Sequence, residues 1–114
     1  MTSLLERMES KEYRDAFVAA EMTNAVVFQI RALMSARHLT QEKLGEMCGM
    51  KQEAVSRLLS RGVGRPSSNT LLKLASALDV AVVTHFVPFS ELAEWSVNLS
   101  IERLAPPSYG EEAQ

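Results

Sequence analysis

The strongest constraint on the fold is a run of apolar and small residues at fixed spacing between Gln41 and Leu58. Counting Gln41 as the first place, apolar side chains stand at the fourth, eighth, tenth, fifteenth and eighteenth places: Leu44, Cys48, Met50, Val55 and Leu58. Gly45 and Gly49 stand at the fifth and ninth. Two short helices that cross steeply need a small residue where their backbones touch and a glycine in the turn between them. The spacing therefore predicts two helices joined by a tight turn.

The ends of these two helices are also indicated by the sequence. Thr40 is a good N-cap, so we expect the first helix to run from Gln41 to about Cys48. Gly49 permits a left-handed backbone after it. The second helix is expected over about Gln52 to Leu59, although Lys51 is an indifferent N-cap.

Helical patterns continue on both sides. Apolar spacings of three and four predict helix from Lys11 to Arg37. Without Gly or Pro the segment could form one long helix, but a break is expected at Thr23-Asn24 because both residues prefer caps to helix interiors. The segment from Ser60 to Asn69 has the glycines, proline and serines of a loop, and Ser67 or Ser68 is expected to cap a helix that ends near Leu78.

The pattern changes after Asp79. The β-branched and aromatic run Val80 to Val87 predicts one strand, followed by an amphipathic helix from Ser90 to about Leu99 and a frayed, Pro-rich and acidic tail. The expected fold is mainly α, with five to six helices and one strand. We expect four regions: an N-terminal helical extension (1–23), a central domain (24–79), a strand-plus-helix region (80–104) and a flexible tail (105–114).

Composition narrows the class of protein. With 114 residues, 46% apolar and 23% charged, the chain suits a single compact domain. Cys48 cannot form an intrachain disulfide, and with two histidines there is no metal-ligand cluster, so no metal or other cofactor is expected. No secretory or membrane-spanning segment is recognised, and a cytoplasmic location is expected.

Charge is unevenly distributed along the chain. Residues 24–78 contain eight basic and three acidic residues, a net charge of +5, whereas the flanks carry four basic and eleven acidic residues, a net charge of -7. The middle of the chain therefore suits a polyanionic partner, although a solvated charged face would look similar. Gln52, Glu53, Ser56 and Arg57 share the outward face of their helix, and such donors and acceptors suit a helix in a DNA major groove.

The stretches "LTQEKLGEMCGMKQEAVSRL" and "RPSSNTLLKLASALDV" resemble the helix-turn-helix domain of XRE/Cro/cI-type bacterial and phage repressors, over about Ala25 to Val80. The resemblance implies a lambda-repressor-like bundle that binds double-stranded DNA. The wider frame is similar to short single-domain regulators of this type and to HigA-like antitoxins, which carry an extra N-terminal helix. Lys51, where Ser or Thr is usual, and the basic loop after Leu59 depart from the family pattern.

The resemblance implies that Gln41 holds a phosphate, that Gln52 reads a base, and that Ser56 and Arg57 contact base or backbone. The full set of expected base contacts is Gln52, Ser56, Arg57, Lys51 and Glu53. The expected phosphate contacts are Thr40, Gln41, Lys43, Arg37, Arg61, Arg65 and Asn69. Each has a plainer alternative: Glu53 in particular would serve as a solvent-facing or repulsive group, and the basic residues as solubilising charges.

The single expected strand suggests a partner, because an isolated strand leaves backbone groups unpaired. Pairing with the same strand of a second copy would make a homodimer, with an expected interface of Val80, Val82, Val83, Thr84, Phe86, Phe89 and Trp95. The alternative is pairing within the chain. A symmetric dimer would place two recognition helices about 34 Å apart and read a pseudo-palindromic operator.

The sequence therefore predicts a transcriptional regulator, in particular a homodimeric repressor. The alternative is an antitoxin that binds a small toxin protein and regulates its own promoter. An enzyme is not expected, since no triad, paired-carboxylate site, phosphate-binding loop or metal cluster is recognised.

Overall fold

The computed structural model describes residues 3–60, 65–98 and 104–114. The described part is helical. In chain order the helices are α1 (Leu4–Arg7), α2 (Lys11–Arg37), α3 (Gln41–Cys48), α4 (Gln52–Leu59), α5 (Ser68–Leu78), α6 (Phe89–Val97) and α7 (Tyr109–Glu112). The two predicted helices of the central unit, α3 and α4, are confirmed with the expected bounds.

Helix starts follow the expected capping chemistry. The backbone N–H of Lys43 donates to Thr40 Oγ1 at 3.0 Å, and the N–H of Thr70 donates to Ser67 Oγ at 3.2 Å, which confirms Thr40 and Ser67 as N-caps. Lys51 precedes α4 in an extended conformation and makes no side-chain cap hydrogen bond. The start of α4 thus depends on packing rather than on a capping side chain.

The predicted break at Thr23-Asn24 is wrong, because α2 runs unbroken for 27 residues. The Thr23 hydroxyl donates to the carbonyl of Ala19 at 3.4 Å, one turn back, so this residue is accommodated inside the helix. By length and composition alone α2 could also cross a membrane, although no membrane-spanning segment was expected from the sequence. Core helices meet the same criteria, and Val27, Ile30 and Leu33 of α2 are buried in the core.

The hydrophobic core lies between the second half of α2 and helices α3, α4 and α5. Leu44 of α3, Val55 of α4 and Leu78 of α5 are its most completely buried large side chains. Cys48 is 8% exposed within this core, in agreement with a packing role. Burial raises the pKa of the Cys48 thiol, and the nearby Lys73 charge opposes this shift. The thiol therefore has little thiolate character at neutral pH.

The first half of α2 contacts the start of α6. The Arg14 guanidinium lies over the Phe89 ring, 5.8 Å from its centroid, and donates to the carbonyl of Met8 at 2.7 Å. Met8 and Ala93 are buried. Helix α2 thus belongs to the central core through its second half and contacts α6 through its first. Helix α6 begins one residue before the predicted Ser90, and its expected end at Leu99 lies outside the described residues.

The predicted strand from Val80 to Val87 is wrong: these residues have no regular secondary structure, and the described part of the chain contains no β-strand. A strand needs a hydrogen-bonded neighbour, and the sequence alone supplied the β-branched pattern without one. The N–H of Val80 instead donates to the carbonyl of Ala75 at 3.0 Å and closes the end of α5.

The C-terminal tail, expected to be frayed, returns to the end of α5. Asp79 has a left-handed conformation (φ 57°) and ends that helix. Its carbonyl accepts the N–H of Tyr109 at 2.8 Å, and its carboxylate accepts the N–H of Gly110 at 3.1 Å. Ala105 packs against the core. The tail is therefore attached to the central domain in this structure.

Candidate nucleic-acid interface

The turn between α3 and α4 sets how α4 is presented. Gly49 ends α3 with φ 70°, a conformation that side chains rarely adopt, as predicted. The N–H of Met50 then donates to the carbonyl of Gly45 at 2.8 Å. A Cβ atom on Gly45 would lie only 2.5 Å from the Met50 carbonyl oxygen, so the predicted need for a small residue is confirmed at this position.

Helix α4 divides into a buried and an exposed face. Val55, Leu58 and Leu59 face the core. All five residues predicted to contact bases are exposed: Lys51, Gln52, Glu53, Ser56 and Arg57. The arrangement leaves amide, hydroxyl, carboxylate and guanidinium groups on one side of a short, firmly packed helix, and these groups can donate to and accept from base edges.

One shallow surface hollow joins the two helices of this unit. It is lined by Gln41, Gln52, Glu53, Ser56 and Arg57. Gln41 is the first residue of α3, so the hollow brings the N-terminus of α3 beside the exposed face of α4. A helix N-terminus has unpaired N–H groups and a partial positive charge, both of which favour a phosphate. The hollow therefore combines a potential phosphate-binding end with potential base-reading groups.

The charges around the hollow are mixed. Lys43 lies 3.8 Å from Glu46 in an exposed pair, which holds the lysine only weakly. Arg57 and Glu53 form no ion pair with any described residue. Arg57 is thus available for a phosphate or a guanine, whereas Glu53 would repel a phosphate and tolerate a cytosine amino group.

The other residues expected at phosphates are differently placed. Thr40 and Lys43 are exposed at the start of α3, Asn69 is exposed at the start of α5, and Arg65 is exposed just before that helix. Arg61 lies outside the described residues. Phosphate contact by these residues stays a prediction.

Arg37 makes a contact within the chain that the sequence did not predict. Its side chain turns toward the end of α5, where Nη1 donates to the carbonyl of Leu78 at 2.6 Å. Its Nη2 is buried and has no hydrogen-bond partner within the described residues. A guanidinium engaged there satisfies a helix C-terminal carbonyl, so Arg37 supports the domain, and phosphate contact by Arg37 stays a prediction.

Sequence reasoning missed Arg31 as a positioning residue for α4. Its Nη2 donates to the carbonyl of Leu59 at 2.6 Å, at the C-terminal end of α4. The two residues are 28 positions apart, and no local pattern links them. The only signal in the sequence was a basic residue within an otherwise apolar part of α2.

The residues expected at a dimer interface differ in their exposure to solvent. Val80 is half-buried and packs against the core, so it belongs to the central domain. Val82, Val83, Thr84, Phe86 and Phe89 are exposed, and Trp95 is half-buried. An interface formed by paired strands has no support here, yet the apolar surface remains.

Comparison with known proteins supports the assignment of the central domain. Residues 30–83 match a family model described as helix-turn-helix. Searches of curated proteins and of solved structures return no significant match. The chain therefore carries, over residues 30–83, an XRE/Cro/cI-type helix-turn-helix domain, the kind through which transcription regulators bind double-stranded DNA.

Proposed function

We propose that the protein binds a specific double-stranded DNA operator through α4 and acts as a homodimeric repressor. The observation that carries the proposal is one hollow in a helix-turn-helix domain, lined by the half-buried Gln41 and by the exposed Gln52, Ser56 and Arg57. The proposed activity is binding in the cytoplasm, and no catalytic step is part of it.

Gln52 is the proposed base reader. It is the first residue of α4, exposed, and lies beside Gln41 in the same hollow. A glutamine amide can donate to N7 and accept from N6 of adenine at once, so an A·T pair is the expected target. Ser56 follows one turn later on the same face and can contact either a base or a phosphate oxygen.

Gln52→Ala tests this role. Loss of the amide should weaken binding to the operator by about 1–3 kcal/mol. The base preference should be lost at one operator position only, because each base contact carries the sequence information of its own position. Binding to random DNA should stay unchanged. The operator is first identified by selecting duplex sequences that the wild-type protein binds. Fluorescence anisotropy then measures the affinity for the operator, for its single-base variants and for a random duplex.

The matched control is Glu94→Ala, a change at an exposed residue of α6. It should leave both affinities unchanged. Equal losses on operator and random DNA for Gln52→Ala would refute the base-reading role, since a phosphate contact gives that result.

Homodimerisation is proposed from the exposed apolar side chains after α5. The Val83 side chain is 73% exposed and the Phe86 side chain is fully exposed. Large exposed apolar patches commonly mark contacts between proteins. Two α4 helices related by a two-fold axis would read half-sites about 34 Å apart, so a pseudo-palindromic operator is expected.

The second candidate function is that of an antitoxin. It is favoured by the exposed acidic residues outside the central domain, including Glu6, Glu9, Glu12 and Asp15, which could bind a small basic protein. Co-purification of such a protein from the native host would support this function. A complex that forms only with DNA would argue against it.

A further inference from the structure

The accessible surface is larger than a self-contained monomer of this size requires. The chain exposes 8097 Å². A folded monomer of this mass is expected to expose about 6200 Å². The radius of gyration, 15.5 Å, likewise exceeds the about 13 Å expected for this chain length. The excess surface is more than twice the about 800 Å² that each partner buries in a standard interface.

Part of this surface is an apolar segment between α5 and α6. It contains Val82, Val83, Phe86, Val87 and Phe89, all exposed. Phe86 is the extreme case, since its side chain is fully exposed and gains nothing from the fold of its own chain. Full burial of a phenylalanine side chain stabilises by about 1.5–3 kcal/mol, so this position has the most to gain from a partner.

An apolar groove begins where that segment leaves α5. Its walls come from α2 and α5, from the start of the segment and from the tail, and its lining includes Val26, Leu71, Ala75, Val80, Val82 and Pro106. The groove is open to solvent and mostly apolar. Val82 lines the groove and also belongs to the exposed segment, so an apolar projection and an apolar recess are continuous on one surface.

A surface that carries both an apolar projection and an apolar recess suits a symmetric contact between two copies. In a two-fold interface the same patch is used on both chains, and each projection meets the recess of the other. Phe86 lies four residues beyond Val82, is fully exposed and does not line the groove of its own chain. A second copy is the occupant that needs no additional chemistry, because the groove and the ring are both apolar.

We propose that Phe86 of each chain inserts into the groove between α2 and α5 of a second copy. The inference rests on the proposed homodimer and names its contact. Two reciprocal insertions would bury both apolar segments and fix the relative position of the two α4 helices, because the groove is built on the same α5 that packs against α3.

Sedimentation equilibrium of the full chain tests the proposal with two matched variants. Phe86→Asp should raise the dimer dissociation constant by about 30-fold or more, as the loss of a central aromatic anchor does. Leu5→Asp changes another exposed apolar residue, 69% exposed on α1, and should leave the constant unchanged. Both variants should keep the wild-type helical circular dichroism, since neither side chain is buried in the single chain. A monomeric wild type at tens of micromolar, or a Phe86→Asp dimer as tight as wild type, would overturn the inference.

Cysteine pairing identifies the contact itself. In a Cys48→Ala background, chains carrying Phe86→Cys are mixed with chains carrying Val26→Cys, the two being distinguished by mass. The expected product is the mixed disulfide between the two kinds of chain. If the main product is instead a disulfide between two chains that both carry Phe86→Cys, the two segments lie face to face across the axis. That result would overturn the groove contact.

The outcomes also separate this inference from the proposed function. Phe86→Asp should still bind a single half-site duplex with unchanged discrimination at the base that Gln52 reads. A wild-type monomer that binds half-sites specifically would end the dimer contact and leave DNA recognition standing. A wild-type dimer without specific DNA binding would refute the proposed DNA recognition and leave the dimer contact standing.

Discussion

At the residue scale, Gly45 has the tightest constraint. Its position beside the Met50 carbonyl allows α3 to approach the turn before α4, and a Cβ atom would lie 2.5 Å from that backbone oxygen. The Met50 oxygen belongs to the backbone and not to a flexible side chain, so the turn would have to move to relieve this clash. Because the turn sets the orientation of α4, packing at Gly45 and DNA recognition are linked.

We therefore expect Gly45→Ala to destabilise the protein by about 1–3 kcal/mol, the range found for overpacking. Urea unfolding followed by circular dichroism measures this. Gly110→Ala is the matched control, because its Cβ atom would meet nothing closer than 3.8 Å. In the exposed helix α7 that change should be neutral or stabilising by up to about 1 kcal/mol. Equal stability of Gly45→Ala and wild type would contradict the close approach.

Arg65 tests the phosphate-contact set at the same scale. It is exposed immediately before α5. Arg65→Ala should weaken binding to operator and random DNA alike, and the slope of log K against log salt should fall in magnitude by about one. Arg7→Ala, a change at an exposed arginine of α1, serves as the control and should alter neither quantity. An unchanged salt slope for Arg65→Ala would remove Arg65 from the phosphate contacts.

At the scale of elements, α4 is well packed and poorly capped. Its N-cap, Lys51, offers no oxygen to the N–H groups of the first turn. Lys51→Ser should supply one and stabilise the protein by about 1 kcal/mol relative to Lys51→Ala, which removes the same lysine without adding a cap. Thermal unfolding of the two variants gives the comparison, and identical midpoints would mean that packing alone defines the start of α4.

The elements also separate what the sequence could predict from what it could not. Helices α3 and α4 were predictable because their caps, their turn glycine and their apolar spacing are local. The choice between an unbroken α2 and a break at Thr23-Asn24 was not predictable, because the Thr23 hydroxyl donates to a carbonyl of the preceding turn. The strand predicted from Val80 to Val87 was wrong for a related reason, because β-branched residues form a strand only when a neighbouring strand is present.

The candidate site divides in the same way. The exposure of Gln52, Ser56 and Arg57 followed from helical periodicity, and the structure places them together with Gln41 around one hollow. The roles of Arg31 and Arg37 did not follow, since each guanidinium reaches a carbonyl 28 or 41 positions away. Long side chains that cap distant helices leave no local pattern, so the sequence alone did not predict these two hydrogen bonds.

At the scale of the whole molecule, the long α2 connects two parts of different character. Its second half completes the core of the DNA-binding domain, and its first half contacts α6 through Arg14 and Phe89. The basic residues are concentrated in the central domain and the acidic residues in the flanks. This separation would orient the chain on DNA, with the acidic flanks directed away from the phosphates.

Reading of a specific DNA sequence by α4 is tested most directly by selection of bound sequences from a random pool of duplex DNA with the wild-type protein. We expect enrichment of a pseudo-palindrome whose half-sites lie about 10 base pairs apart, with one position per half-site that loses its preference in Gln52→Ala. A folded protein that enriches no sequence from the pool would contradict this expectation.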